Sequence, residues 1–558
     1  MHITTLGAGR EIGRSCFLVT IADTTVLLDA GVHMNPQNKT DRIPIIPNDL
    51  DAKNVSAVVI THYHLDHIGA LPYLTEMSLN ACPEILMSVP TKLLAPNILL
   101  DYCKGPANSD MYSSKHVWDC FGSNKLKVFG IGEQVRLKAN IDFVIDIVYA
   151  GHVVGGVMLL LKYMGVCVVY TGDFSVVPDA LLNPITIPPM LIPKKGVDIV
   201  ISESTHATTI TPINRPNAKI HADLCHKISS AINRGGTVLI PLFAVGRTQE
   251  IASIIRMYLG PSVALFTTSP GGFKSSLQSS TIHRQWLRNN EEFDDLNIQF
   301  LESDSIPNKC VIFASPAMIE GGSSMKLFKH ICTDPSNLVV VTGYCSKGTI
   351  GNSVILFASK LGMKNKSVYD GSTKISVECE CLYTPFSNHT DSVGIEKVLA
   401  QLRPRMGVVL VHGEFEKMKN FKDKFKKSTC QFHIPENYET LKFDVIVERS
   451  NSNTRSVSIT KKLNVTATMD SLFDIISERL SYYGVEKCDG RQVVVSDSRT
   501  SITLSERHGC IHATWICASD LGAEWISNNP IVSSIEIAVL ASNSLIENFS
   551  ISSCSGDT

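Results

Sequence analysis

No apolar run in these 558 residues is long enough to cross a bilayer; the richest, Val157 to Tyr170, is broken by Lys162 and Gly165 and reads as a β-hairpin. Met1 leads straight into the strand-like His-Ile-Thr-Thr-Leu, without the basic head and apolar core of a secretory signal. The 16 cysteines are scattered, and the close pair Cys379 and Cys381 has the wrong spacing for a zinc knuckle. Free, mostly buried thiols in a reducing compartment are therefore expected in place of a disulfide framework. Neither sign of charge dominates: 51 Lys and Arg face 53 Asp and Glu, a net charge of −2. A general excess of basic charge for gripping nucleic acid is missing, although a bound metal would bring its own positive field, so this balance excludes little. What is present is 44% hydrophobic and 19% charged residues, which suits a soluble globular protein. The length predicts two or three domains.

The most informative segment is Thr-His-Tyr-His-Leu-Asp-His, residues 61–67. It places three imidazoles and a carboxylate directly after the β-branched run Val58, Val59, Ile60. Ionisable side chains crowded at the exit of a buried strand are costly unless a cation holds them together. Histidine with carboxylate and no cysteine suits zinc or a similar first-row metal in a hydrolytic site. In an extended segment His62, His64 and Asp66 share one side and His67 points elsewhere, so one short loop can serve two adjacent metal sites.

Residues 2–205 alternate strand-like runs with Gly and Pro punctuation, and a helical stretch is expected at Gly69 to Glu76, which predicts an α/β layered domain with much antiparallel sheet. From about residue 210 the pattern changes. An amphipathic helix at Ala218 to Arg234, a strand at Gly236 to Leu242 and a helix at Arg247 to Tyr258 predict a parallel-sheet insert. Strands return around 375–445 (Val408 to Val411), followed by a Lys-rich helix at Phe415 to Lys427 whose basic residues read as a solvated face. The boundaries drawn are 1–208, 209–375 for the insert, 376–445 for the return, and 446–558 for a small C-terminal α+β domain. That last segment keeps Trp515, Trp525 and many Ile and Val, which argues against a disordered tail.

Three more ligand-type residues stand at expected strand ends: His152 in Ala-Gly-His-Val-Val-Gly-Gly, Asp173 in Tyr-Thr-Gly-Asp-Phe and His412 in Val-Leu-Val-His-Gly-Glu. Each alone also reads as a turn or cap residue. Added to His62, His64, Asp66 and His67 they make a donor set large enough for two ions if one carboxylate bridges.

These motifs resemble the metallo-β-lactamase superfamily and, within it, the β-CASP nucleases, over about residues 1–445. Asp29 in Leu-Leu-Asp-Ala-Gly, the 61–67 segment, His152 and Asp173 match the superfamily's motifs in order. Glu203 in Ser-Glu-Ser-Thr, His389 in Phe-Ser-Asn-His-Thr-Asp and His412 match the β-CASP motifs. Ile-Pro-Leu-Phe-Ala-Val-Gly-Arg (240–247) and Ser-Pro-Ala-Met (315–318) are further family-like runs. The resemblance implies a four-layer αββα sandwich with an inserted β-CASP α/β domain. It also implies two zinc ions per chain, one held by His62, His64 and His152, the other by Asp66, His67 and His412, with Asp173 bridging.

By the same resemblance Asp29 orients a ligand or loop, although a turn carboxylate fits equally, and His389 is the general acid with Glu203 as its orienter. A buried salt-bridge carboxylate is the other reading of Glu203. Arg247 and Lys347, beside Gly-rich loops, are candidates for gripping backbone phosphates or are ordinary surface cations. His33 and His206 read as structural. His206 stands where relatives often carry Tyr, and Asn388 where Ala or Pro is usual, so the hydrogen bonding next to His389 is open to change.

The implied activity is zinc-dependent endonucleolytic hydrolysis of single-stranded RNA in nuclear RNA 3′-end processing. The implied partners are a non-catalytic β-CASP paralogue, met through the C-terminal domain, and further subunits of a processing complex, with no membrane involved. DNA-cutting relatives typically carry Val at the position of His412, which favours RNA. A DNA nuclease, a thioester hydrolase and a silent scaffold are the alternatives; the retained ligand set argues against the last.

Overall fold

The β-branched runs pair into two seven-stranded sheets in the computed structural model. One has the order Thr440–Lys442, His2–Gly7, Cys16–Ile21, Thr24–Leu28, Val55–Ile60, Glu84–Ser88, Leu126–Phe129. The other runs Gln431–His433, Gly407–Val411, Ile199–Glu203, Val166–Tyr170, Val157–Tyr163, Phe143–Tyr149, Gln134–Arg136. The structure describes residues 1–446 apart from 34–40, 45–54, 79–82, 105–109, 210–216, 243–246, 270–283, 289–295, 302–305, 361–362, 344, 346, 364, 372, 387 and 427; beyond 446 it describes the backbone of strands.

Alternation along the strands builds the layers. Val59, Leu28, Phe17 and Val19 from the first sheet meet Leu159, Leu161, Val168, Ile199 and Val409 from the second in one core. The opposite faces carry Val58, Ile60 and Met87 under the helix Val89–Lys104, and Leu160, Val169, Val200 and Leu410 under the helices Ser392–Leu402 and Phe415–Asp423. The result is helix, sheet, sheet, helix. The Val157–Tyr170 stretch is the antiparallel hairpin its Gly165 suggested. At 69–76 the short helix Leu71–Tyr73 passes into a π-helical turn, Leu74–Ser78.

The insert has a separate six-stranded sheet, ordered Ile298–Phe300, Ala264–Thr267, Cys310–Ala314, Val238–Pro241, Leu338–Val341, Glu380–Tyr383, with every pairing parallel. Val238 and Ile240 face one core beneath the helices Asn217–Asn233 and Arg247–Leu259; Leu239 faces the other, with Phe328 and Val354 from the helices Gly322–Ile331 and Ile350–Ser359. A sheet covered on both faces fits continuous apolar strands. Its edge strand Glu380–Tyr383 lies beyond the 375/376 boundary drawn from the sequence, so the chain leaves the insert only after Tyr383. Apolar alternation marks a strand without saying which sheet it joins.

Contacts divide the chain into Met1–Glu448 and Arg449–Thr558. The second unit contains one antiparallel sheet, ordered Gly484–Cys488, Gln492–Ser496, Thr500–Arg507, Cys510–Ala518, Ser456–Leu463, Ser552–Ser553. The helical part expected of this α+β segment, and Trp525, lie outside the described residues. Among the described residues no helix is long and apolar enough to cross a membrane.

Candidate metal centre

The strands Val166–Tyr170, Ile199–Glu203 and Gly407–Val411 are parallel neighbours, and Phe143–Tyr149 runs in the same direction two strands along. In the other sheet Thr24–Leu28 and Val55–Ile60 are also parallel. Their C-terminal ends deliver Asp173, Glu203, His412, His152, Asp29 and the 61–67 segment. Chain direction alone therefore gathers residues that are up to 383 positions apart in sequence (from Asp29 to His412).

The 61–67 segment is not extended throughout. A helical turn, Leu65–Ile68, begins after His64, and His67 N donates to His64 O at 2.9 Å. The turn carries Asp66 to the side of His67, away from His62 and His64, so the expectation that His62, His64 and Asp66 share one side is corrected. Two donor groups result: His62, His64, His152 and Asp173; and Asp66, His67 and His412. Asp173, His412, Glu203 and His389 form a further group beside them.

Tight backbone geometry sets these positions. Gly172 has φ +52°, and a Cβ there would meet Thr61 Cβ at 2.9 Å. Asp29 and His412 take left-handed φ of +59° and +52° despite their side chains. Non-glycine residues hold that conformation where the surroundings enforce it, commonly at functional sites.

The donor set fits a metal on its own hydrogen-bond logic. His152 Nδ1 donates to Asn388 O at 3.0 Å, so its Nε2 carries a lone pair. The Thr61 hydroxyl gives its proton to Asp29 and accepts from His62 Nδ1 at 3.1 Å, so His62 Nε2 is bare as well. These two nitrogens face His64 Nδ1 at 3.2 and 3.1 Å. At most one proton can sit among three converging nitrogens, whereas a cation takes all three lone pairs. Asp173 Oδ1 is buried and has no hydrogen-bond partner among the described residues. Burial and the neighbouring imidazoles push His62 and His152 well below the ordinary histidine range; burial brings His64 to about 4. Neutral imidazole is the metal-ready form.

Asp173 lies among five imidazoles: His67 Nε2 at 3.2 Å, His412 Nδ1 at 3.6 Å, His152 Nε2 at 3.7 Å, and His62 Nε2 and His389 Nδ1 at 3.8 Å. Burial opposes its ionisation, yet His412, His67 and His389 hold it well below the carboxylate range. Burial also opposes a charge on Asp66, and its closeness to His412, whose Nε2 is 3.3 Å away, outweighs that. For His67 burial favours the neutral ring, but Asp173 and Asp29 raise its pKa well above the usual value.

Asp29 fixes His67 by accepting from its Nδ1 at 2.7 Å, leaving Nε2 toward Asp173. It also accepts from Thr61 N and Tyr170 Oη, each at 2.7 Å. The sequence reading gave Thr61 and Tyr170 no role of their own, and their only signal was a place within the quoted motifs. Asp29→Ala strands these buried donors together, and removing one partner of a buried charged network costs about 3–5 kcal/mol. Chemical denaturation should show that loss; an unchanged midpoint would reduce Asp29 to a turn residue.

His389 stands beside the metal-type donors, its Nδ1 2.8 Å from Glu203 Oε2, with Glu203 1% and His389 21% exposed. Glu203 Oε1 accepts from Phe174 N at 2.8 Å, so both its oxygens are engaged. Asn388 braces this loop: its Nδ2 donates to His152 O at 3.1 Å and Asp179 Oδ2 at 2.7 Å. Arg247 reaches Asn388 Oδ1 at 3.4 Å and pairs with Glu250. Lys347 is exposed in the turn before the helix Ile350–Ser359, and no described contact joins it to this group. His206, read as structural, sets its ring edge-on to His389 with centroids 5.9 Å apart. His33 is half-buried and bonds through its backbone to Arg42.

Comparison with known proteins yields matches in three regions. Residues 9–77 match the metallo-beta-lactamase superfamily, 224–354 the Beta-Casp domain, and 374–435 the Zn-dependent metallo-hydrolase RNA specificity domain. Integrator complex subunit 11 of Danio rerio is 34% identical over 464 residues, 79% of this chain and 74% of that protein. Cleavage and polyadenylation specificity factor subunit 3-II of Arabidopsis thaliana is 34% identical over 458 residues, 78% and 72% of the two chains. A solved structure from Enterococcus faecalis V583, of a protein of unknown function, covers 79% of this chain and 99% of its own at TM-score 0.50 and 12% identity, a likeness of fold alone.

Proposed function

The chain belongs to the β-CASP branch of the metallo-β-lactamase superfamily, and from that membership we propose that it is a metal-dependent endonuclease that hydrolyses RNA phosphodiester bonds in RNA 3′-end processing. The observation that carries the reading is the clustering of Asp173 with six other His and Asp donors, five of the seven buried, with the His389–Glu203 pair against them. Zinc is the proposed metal, two ions per chain, which His62, His64 and His152 would hold on one side and Asp66, His67 and His412 on the other, with Asp173 shared. When bound, such ions supply fixed positive charge against the phosphate oxygens and lower the pKa of water.

The chain's own residues do the rest. Glu203 holds His389 Nδ1–H, so the proton to be transferred sits on Nε2. As water attacks phosphorus and the P–O3′ bond breaks, that proton passes to the departing O3′, and the proton the water sheds goes to solvent, from which His389 is recharged, leaving a 3′-hydroxyl and a 5′-phosphate. Asp29 keeps the His67 ring in the tautomer that presents Nε2. Arg247, tied through Asn388 to the loop bearing His389, is the better placed of the two phosphate-gripping candidates.

RNA as substrate is supported by His412 and by the RNA specificity match at 374–435. An Integrator-type complex in the nucleus is the favoured setting, with a non-catalytic paralogue bound through residues 446–558. The similarity to a cleavage and polyadenylation factor keeps that machinery as the second setting. Single-stranded RNA and DNA of one sequence, offered to the purified chain with and without chelator, test the substrate. The expected result is chelator-sensitive cleavage of RNA in preference to DNA; equal rates would point to a general nuclease.

A further inference from the structure

Thr205 lies two residues beyond Glu203 and is 8% exposed. Its hydroxyl oxygen is 2.8 Å from Glu203 Oε2, 3.0 Å from His412 Nδ1, 3.2 Å from His412 O and 3.5 Å from His389 Nδ1. One hydroxyl has one proton to give. Glu203 Oε2, a carboxylate oxygen, is closer than the His412 carbonyl, so it takes that proton in the stronger bond. The oxygen is then an acceptor, and the nearest available donor is His412 Nδ1–H. His389 Nδ1–H, further away, goes instead to Glu203 Oε2 at 2.8 Å.

The polarity of the chain is thereby fixed. His412 Nδ1–H donates to Thr205 Oγ1, Thr205 Oγ1–H donates to Glu203 Oε2, and Glu203 Oε2 also accepts from His389 Nδ1–H. With its proton on Nδ1, His412 keeps a lone pair on Nε2, the nitrogen 3.3 Å from Asp66 Oδ2. The same hydroxyl thus orients a residue of the Asp66, His67, His412 donor group and loads the carboxylate that holds the acid.

The geometry points to Thr205 as a positioning residue whose single hydroxyl joins the His412 donor group to the Glu203–His389 pair, so that metal retention and proton donation depend on one group. Chained bonds polarise one another, and a change at either end reaches the other. Threonine is needed here for its oxygen and not for its shape, which separates this role from packing.

This inference rests on the function proposed above. Its test compares wild type, T205V and T205S in two assays: zinc retained against a chromophoric chelator, and RNA cleavage resolved into kcat and KM. T205V keeps the shape and loses the hydroxyl. It should weaken zinc retention and lower kcat, each by about 10- to 100-fold, the usual effect of removing a group that orients a ligand. KM should stay unchanged, and T205S should restore both properties. Wild-type behaviour of T205V in either assay would overturn the inference, as would a T205S variant as impaired as T205V. If the wild type retains zinc but leaves RNA intact, the RNA reading fails and the chelator comparison alone still decides Thr205.

Discussion

His389→Ala lowers RNA cleavage by about 10²- to 10⁴-fold, the range expected for loss of a general acid, while bound metal stays at the wild-type level. Selectivity between the two measurements is the informative part. His389 reaches the cluster through Glu203 and lies 3.8 Å from Asp173, but the two donor groups proposed to hold the ions are complete without it. Metal analysis beside single-turnover cleavage reads both; unchanged cleavage would remove His389 from the mechanism. Its protonation also has a pH signature. Burial disfavours the imidazolium, and Glu203 and Asp173 outweigh that, raising the pKa to about 9. The acid is therefore charged at neutral pH, and activity falls as pH rises through that region, at a lower pH when bound cations add their own field. The linked stability has the same sign. Protonated His389 favours the folded chain fully below the ordinary value of 6.5, and that contribution is lost as pH climbs toward 9.

Asp173→Asn is expected to be at least as damaging to cleavage and, unlike His389→Ala, to empty the site of most of its metal. Among the described residues, this carboxylate is the one anionic group set among His62, His67, His152, His389 and His412. Asparagine preserves the volume but offers one weak acceptor and an N–H₂ that points donors at bare ring nitrogens. The proposed bridge between the two donor groups is then lost. Elemental analysis of the purified variant checks this, and wild-type metal content with wild-type cleavage would show that Asp173 is not shared.

Much of the site was legible because buried strands stop abruptly. Val58–Ile60, Val166–Tyr170 and Val408–Val411 are apolar runs that end on polar, ligand-type residues, and a strand's end is readable from local composition. The pairing of those ends is not local. Nothing in the sequence around Val200 says that Glu203 aligns with Val411, yet that register puts Glu203 beside His412. Hydroxyls were the weakest signal: Thr61, Tyr170 and Thr205 resemble any strand or turn residue until their partners are known. Lys347 shows the limit of local reading, since a lysine in a Gly-rich run looks like a phosphate grip wherever the run lies, and no described contact joins it to the site. The helical turn at Leu65 was missed because four residues are too few for a periodic pattern.

The central claim is that this cluster is a two-ion hydrolytic centre acting on RNA. Metal content and cleavage measured on the same preparation test it most directly. The purified chain is predicted to carry about two zinc ions, to lose cleavage of single-stranded RNA when they are stripped, and to regain it when zinc is returned. Full cleavage by a chain with metal content near zero would contradict the account.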